Sequence, residues 1–382
     1  MENVLKILKC PISNQVLVPS QLSGLADNNT LRLKEELATI EDALNEKWDQ
    51  KGLITPDRKY FYPIIDNIFI LLPELCITST SPQVYDTKWD RQRVQMFYNQ
   101  FGWKKTADNE AYEDTKIFVD QREIAKEYQV RAEERIKQYL SSGTYLLDIA
   151  SGALHNERYH NFSRNYQYRV CIDFSITALI EARKNIGSKH GIFILGDITN
   201  IPLQDDACDN VISLHTLYHV HKDKQETALK ELVRVCKPEA NIVIAYNWGW
   251  HSLLMNISLL PTRAIKMIRK IINDRMQKSL PKDQLKPTLY FYPHSMSWFN
   301  KVKAGNWHIE YNCQKSLHVD FIRLYIHQQL GGEHILKAIS DLEDKYPNFF
   351  GKYGSFPLII IRKKDSIGLK GKTDKDVSEA VA

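Results

Sequence analysis

Four short groups of residues carry the chemistry that this sequence offers. The first is Asp148-Ile149-Ala150-Ser151-Gly152, an apolar run entering a turn of small residues, where a ligand can approach the backbone at the end of a buried strand. The second is Asp173-Phe174, which closes the apolar run from Tyr168. A carboxylate there can accept two hydrogen bonds from a ribose diol. The third is Gly196-Asp197-Ile198, suited to the edge of a base, with Asp197 as acceptor and Ile198 as apolar floor. The fourth runs from Ser213 to His219 and brings two imidazoles, His215 and His219, to a strand end facing the same cleft. An imidazole in that position can take a proton from a nucleophile. Singly, each has an ordinary explanation: an Asp before a helix is an N-cap, small residues make loops, and His219 packs or caps the helix after it. In this order and spacing they describe a nucleoside site with a base beside it.

Elements must exist to hold these groups. Short, β-branched-rich apolar runs predict strands at 144–149, 168–173, 191–195, 209–214 and 241–246, with helical patterns at 175–186 and 223–236 between them. Strands alternating with helices imply a parallel sheet with right-handed crossovers. Upstream, periodicity predicts a helix over about 121–140, with Ile124, Tyr128, Ile136 and Leu140 as its stripe, and another over 87–101 that carries Tyr98. Residues 77–86 are rich in turn formers and read as a linker. Residues 1–76 read as a small α+β unit. Leu8–Ile12 and Gln15–Val18 suggest a strand pair, 31–48 a charged helix, and Lys59–Pro73 a hairpin turning at Asp66-Asn67.

The chain of 382 residues has the apolar and charged fractions of an ordinary globular protein, and its net charge of +5 does not by itself call for nucleic acid. Cys10, Cys76, Cys171, Cys208, Cys236 and Cys313 show no paired spacing, which points to a reducing compartment and not to a disulfide framework. Charges interrupt the first residues and no long uncharged apolar run occurs, so neither a signal peptide nor a transmembrane helix is expected. The protein reads as cytoplasmic.

Residues 144–246 resemble the class I S-adenosylmethionine-dependent methyltransferases. Asp148–Gly152 matches the first glycine motif, Cys171–Ser175 the ribose-binding strand end, and Gly196-Asp197 the adenine loop. The segments 201–212 and Glu231–Ala240 resemble "LPF-x-D-x-x-F-D-x-V" and "E-x-x-R-V-L-K-P-G-G" of the small-molecule branch, and Ser355–Arg362 its late antiparallel strand. The resemblance implies an α/β fold: a Rossmann-like, seven-stranded, mostly parallel sheet with helices on both faces, spanning 141–362, beside the small N-terminal α+β domain. It implies S-adenosyl-L-methionine as cofactor, held by Asp148, Ala150, Ser151, Gly152, Asp173, Phe174, Asp197, Ile198 and Leu214. Only the middle glycine of the motif is kept; Ala150 and Leu154 occupy the other two positions, so a rerouted loop through His155-Asn156-Glu157 is expected. The N-terminal unit resembles the zinc-ribbon-derived domain that accompanies many methyltransferases. With Cys10-Pro11 but no second nearby cysteine it cannot build a tetrahedral zinc site, and no metal is expected.

An insertion at about 247–300 supplies the expected substrate side. Trp248, Tyr292, His294 and Trp298, with Tyr98, are the candidate substrate contacts. The basic, apolar-striped stretch 263–286 is expected to form a lid, or to meet a membrane surface or an anionic substrate. Residues 363–382 lack apolar periodicity and are expected to be disordered. The first expectation is a methyltransferase acting on oxygen or carbon of an apolar or aromatic small molecule, with His215 and His219 as candidate bases. A tRNA or translation-factor methyltransferase is second, although no Asn-Pro-Pro-Tyr-type motif follows the fourth strand and nucleic acid is disfavoured. A non-catalytic cofactor-binding protein is third. A nicotinamide oxidoreductase is disfavoured because the glycine triplet is incomplete.

Overall fold

The computed structural model describes residues 2–22, 31–78, 120–260, 289–302 and 307–363. The expected linker beyond residue 78, the helix carrying Tyr98, the basic stretch 263–286 and the tail beyond residue 363 lie outside the described residues. Strands β6 (Gly143–Ile149), β7 (Tyr166–Asp173), β8 (Gly191–Leu195), β9 (Asn210–Leu214) and β10 (Ile242–Ala245) are parallel to their neighbours in the order β8-β7-β6-β9-β10. Antiparallel β12 (Phe356–Lys363) pairs with β10, and β11 (Trp307–Lys315) lies outside β12. The order reverses between β6 and β9, so a crevice opens at the carboxyl ends of the strands.

These strands are short continuous apolar runs because both faces are covered. Leu147, Ile149, Val170, Ile172, Ile192 and Ile194 pack on one side with α4 (Gln225–Val235). Leu146 and Ile212 on the other side meet Ile136 of α2 (Glu123–Lys137). Cys171, Phe193 and Leu195 meet α1 (Leu31–Leu44) and α3 (Ile176–Ile186). Toward the carboxyl terminus come α5 (Met296–Val302), α6 (Val319–Tyr325), α7 (Gly332–Lys345) and α8 (Pro347–Tyr353).

The sheet has more than the seven strands expected. The hairpin β3 (Tyr60–Ile65) and β4 (Ile68–Ile70) turns where the sequence suggests, with Asp66 and Asn67 at φ 49° and 60°, as a type I′ turn requires. β4 then pairs in parallel with β8, Ile68 opposite Phe193. Beyond β3 lie β2 (Lys51–Ile54) and β1 (Val18–Gln21), and two-residue β5 (Ile77–Thr78) also pairs with β3. The N-terminal segment thus covers the β8 edge, which would otherwise present unpaired backbone groups. The strand pair expected over 8–18 reduces to a Lys9–Val16 bridge, while Leu8 bridges to Leu203 and Asn200 donates to the Pro11 carbonyl. Cys10 is buried with its sulfur 3.4 Å from the Tyr62 hydroxyl, and all six cysteines are free and buried. No helix among the described residues is long and apolar enough to cross a membrane.

Candidate functional site

The carboxyl ends of β6, β7, β8 and β9 open into one cavity of about 1380 Å³. The turn after β6 forms its floor. Ala150, Gly152 and Leu154 all adopt left-handed backbone, at φ 53°, 61° and 49°. These are the three glycine positions of the motif, so the conformation survives where two of the glycines do not. Non-glycine residues pay a steric cost in that region and keep it only where the surroundings hold them. Here the Ala150 N–H donates to the Ile172 carbonyl at 2.6 Å and Gly152 N–H to Asp173 at 3.0 Å. The Ala153 and Leu154 carbonyls are bonded by Asn185 and His160. Leu154 is also buried among apolar side chains. After His155 the chain enters a one-turn helix, Glu157–His160, capped by Asn156.

Asp148 points inward to Arg169 of β7, at 2.5 and 3.0 Å, and Arg169 also donates to the Tyr159 carbonyl. Both side chains are buried. Burial raises the Asp148 carboxyl, and the guanidinium opposes that shift. Asp173 lines the cavity and is held by backbone N–H groups, among them Gly152 on one oxygen and Ser175 on the other. Burial pushes its carboxyl up to about 6, against the pull of those N–H groups. Asp197 holds the next turn by accepting from the backbone and hydroxyl of Thr199. Ser151, Phe174, Ile198 and Leu214 complete this end. All nine expected cofactor contacts therefore line the cavity.

The histidines lie beyond Leu214. His215 sits at φ 59°, another left-handed non-glycine residue, and its backbone N–H is held by the Ala245 carbonyl at 2.9 Å. Among the described residues neither of its ring nitrogens has a hydrogen-bond partner; the ring meets Phe356 edge-on at 5.7 Å. Burial, with help from Lys315 and His219, pushes it down to about 3. His219 has its Nδ1 2.7 Å from the Tyr290 carbonyl. A carbonyl only accepts, so Nδ1 carries the hydrogen and Nε2 keeps a lone pair. Burial pushes His219 down to about 4, against the pull of that carbonyl. Both rings are neutral at physiological pH.

The aromatic candidates fare differently. Trp248, Tyr292, His294 and Trp298 are not part of the cavity wall. Trp248 is buried, its indole N–H donating to the Gly351 carbonyl at 2.7 Å, and His294 stacks on Trp298 at 4.1 Å. They form a layer behind the wall because the chain after β10 folds back into the core. Tyr292 backbone N–H donates to the Tyr218 carbonyl, and the Tyr218 and Phe291 rings, edge to face, both reach the cavity. Tyr98 lies outside the described residues. Sequence reasoning missed Gln314, Lys315, His318 and Phe356, which also line the cavity. The alternation Trp307, Ile309, Tyr311, Cys313 against His308, Glu310, Asn312 was the available sign of β11.

The donor set suits a nucleoside cofactor. Asp173 and Asp197 present acceptors for a diol and an amino edge, Ile198 and Leu214 present apolar faces, and the left-handed turn leaves the backbone open to approach. Residues 147–244, from β6 to β10, match the family model described as a methyltransferase domain. No curated protein matches the chain. Similar solved structures include a chain of the complex of the Haloferax volcanii Trm112 methyltransferase activator (14% identity, 63% of this chain and 92% of that one, TM-score 0.40). The YcgJ protein of Bacillus subtilis is another (13%, 62% and 99%, 0.37). A third is Haemonchus contortus phosphoethanolamine N-methyltransferase 2 with phosphomonomethylethanolamine and S-adenosylhomocysteine (13%, 61% and 52%, 0.36). Likeness at that level says nothing of the reaction. Residues 147–244 match a methyltransferase domain and lie within a Rossmann-like sheet, a match that implies S-adenosylmethionine as cofactor.

Proposed function

We propose that the protein transfers a methyl group from S-adenosylmethionine to an oxygen or carbon of an apolar or aromatic small molecule. The observation that carries this reading is the continuity of the cavity. It joins the nucleoside-binding strand ends to a histidine whose tautomer is fixed and whose Nε2 can accept a proton. When bound, the cofactor supplies an electrophilic methyl on a sulfonium. Asp173 and Asp197 orient the nucleoside, and Leu214 sets the boundary beyond which an acceptor must lie. His219 takes the acceptor's proton on Nε2 while the Tyr290 carbonyl steadies the developing imidazolium through Nδ1–H. Tyr218, Phe291 and Phe356 supply apolar walls that favour a ring or alkyl body. Methyl transfer from labelled cofactor into a cell extract, separated into small-molecule, protein and RNA fractions, tests the reading. Label in the small-molecule fraction supports it; label confined to protein or RNA rejects the acceptor class.

A further inference from the structure

The flank of the cavity at the end of β11 holds a charge with no counterion among the described residues. Lys315 ends β11, which lies two strands beyond β10, on the flank opposite β7 and β8. A register shift between Cys313 and Lys315 marks this end of the β11–β12 ladder. The backbone just beyond it is fixed: Ser316 N–H donates to Glu343 at 2.7 Å and Leu317 N–H to the Tyr128 hydroxyl at 3.2 Å. Lys315 is 9% exposed, yet its Nζ forms no ion pair among the described residues. Its contacts are Gln129 Oε1 at 3.1 Å and the Phe356 ring at 4.8 Å.

The carboxylates that face it from the neighbouring helices are already engaged. Glu133 of α2 pairs with Arg158, and Glu343 of α7 pairs with Arg135 at 2.7 Å. His215 and His318 meet the same Phe356 ring, at 5.7 and 5.9 Å. Beside them Gln314, 3% exposed, carries an Oε1 with no hydrogen-bond partner. Burial pushes the ammonium down to about 8, with Glu133 and Glu343 holding it up, so it is protonated at neutral pH. A buried cation costs free energy unless an anion or a dense set of acceptors meets it. Neither is supplied by the described protein.

We propose that Lys315 is the anchor for an acidic group, a carboxylate or phosphate, carried by the methyl acceptor. The inference rests on the methyltransferase reading for the word acceptor, and it narrows the acceptor to an apolar or aromatic molecule bearing an anionic substituent. Gln314 flanks the same subsite and gives a polar contact to the remainder of the molecule.

Benzoate, phenylacetate and phenyl phosphate, against benzamide and phenylacetamide, serve as probes by calorimetry on the full-length protein. At least one acid should bind the wild type about tenfold or more tighter than the neutral amides, the size of one charge-assisted hydrogen bond. Lys315→Met should erase the preference and Lys315→Arg should keep it. No preference in the wild type, or one that survives in Lys315→Met, overturns the proposal. The cofactor's own carboxylate is the competing source of the same chemistry, and S-adenosylmethionine against its decarboxylated analogue separates the two. Lys315→Met should change neither affinity by more than about twofold, well under one hydrogen bond. Selective weakening of S-adenosylmethionine overturns the assignment to the acceptor. If the wild type binds no cofactor at all, the methyltransferase reading fails, while acid preference is still read directly on the protein.

Discussion

Glycine at position 150 should stabilise the protein, and glycine at position 154 should destabilise it, although Ala150 and Leu154 hold φ 53° and 49° in one loop. A Cβ in left-handed backbone costs about 1–2 kcal/mol, and either substitution recovers that. Each also frees the unfolded chain, which costs about 0.4–1 kcal/mol. For half-buried Ala150 little else is lost, so Ala150→Gly should gain about 0.5–1 kcal/mol by difference. Leu154 is 3% exposed and packs in the cluster of Ile176, Leu179, Phe193 and Leu195. Removing such a side chain costs about 2–5 kcal/mol, which outweighs the relief of strain and leaves a net loss of about 2–4 kcal/mol. Urea unfolding followed by circular dichroism reads both, with the midpoint moving and the slope unchanged. A lower midpoint for Ala150→Gly, or an unchanged or higher one for Leu154→Gly, would refute the view that strain at the first position is offset by packing only at the second.

The Asp148–Arg169 pair yields a second prediction. Arg169→Met leaves a buried carboxylate alone and should cost about 3–5 kcal/mol in urea unfolding, whereas Arg169→Met with Asp148→Leu should recover most of it. Asp173 has its carboxyl raised to about 6 from an ordinary 3.8, so the folded protein holds a proton that the unfolded chain releases between these values. Its destabilising effect is therefore absent below about pH 4 and complete above about pH 6, at most about 3 kcal/mol. The urea midpoint of the ligand-free wild type should fall across that window relative to Asp173→Asn, while cofactor affinity should weaken as pH drops through 6. His219→Ala should lower transfer of labelled methyl by about 10²–10⁴ with cofactor affinity intact. Since burial holds His215 near 3 and His219 near 4, the wild-type rate should show no histidine limb near pH 6.5.

Strands β6 to β10 were legible because a strand buried on both faces must be apolar throughout, and Asp148, Asp173, Asp197 and Leu214 follow from the ends of those strands. The hairpin was legible from Asp66-Asn67, two residues that accept left-handed backbone. That β4 would pair with β8 was not, because nothing local in Ile68–Ile70 records which edge it meets. The glycine motif looked degraded in sequence, yet its backbone is retained, since Asp173, Ile172 and Asn185 hold it from outside the loop. The aromatic residues after β10 were legible as a group but not as a layer, because side chains facing the core and the cavity have the same composition. Lys315 was invisible: its setting depends on a register shift and on a partner, Gln129, 186 positions away.

The most direct test of the account is calorimetric titration of the wild type and Asp173→Ala with S-adenosylmethionine. The wild type should bind one equivalent, and Asp173→Ala, lacking both diol acceptors, should bind at least about tenfold more weakly. No binding by the wild type would contradict the methyltransferase reading, and binding left intact by Asp173→Ala would contradict the assignment of the site.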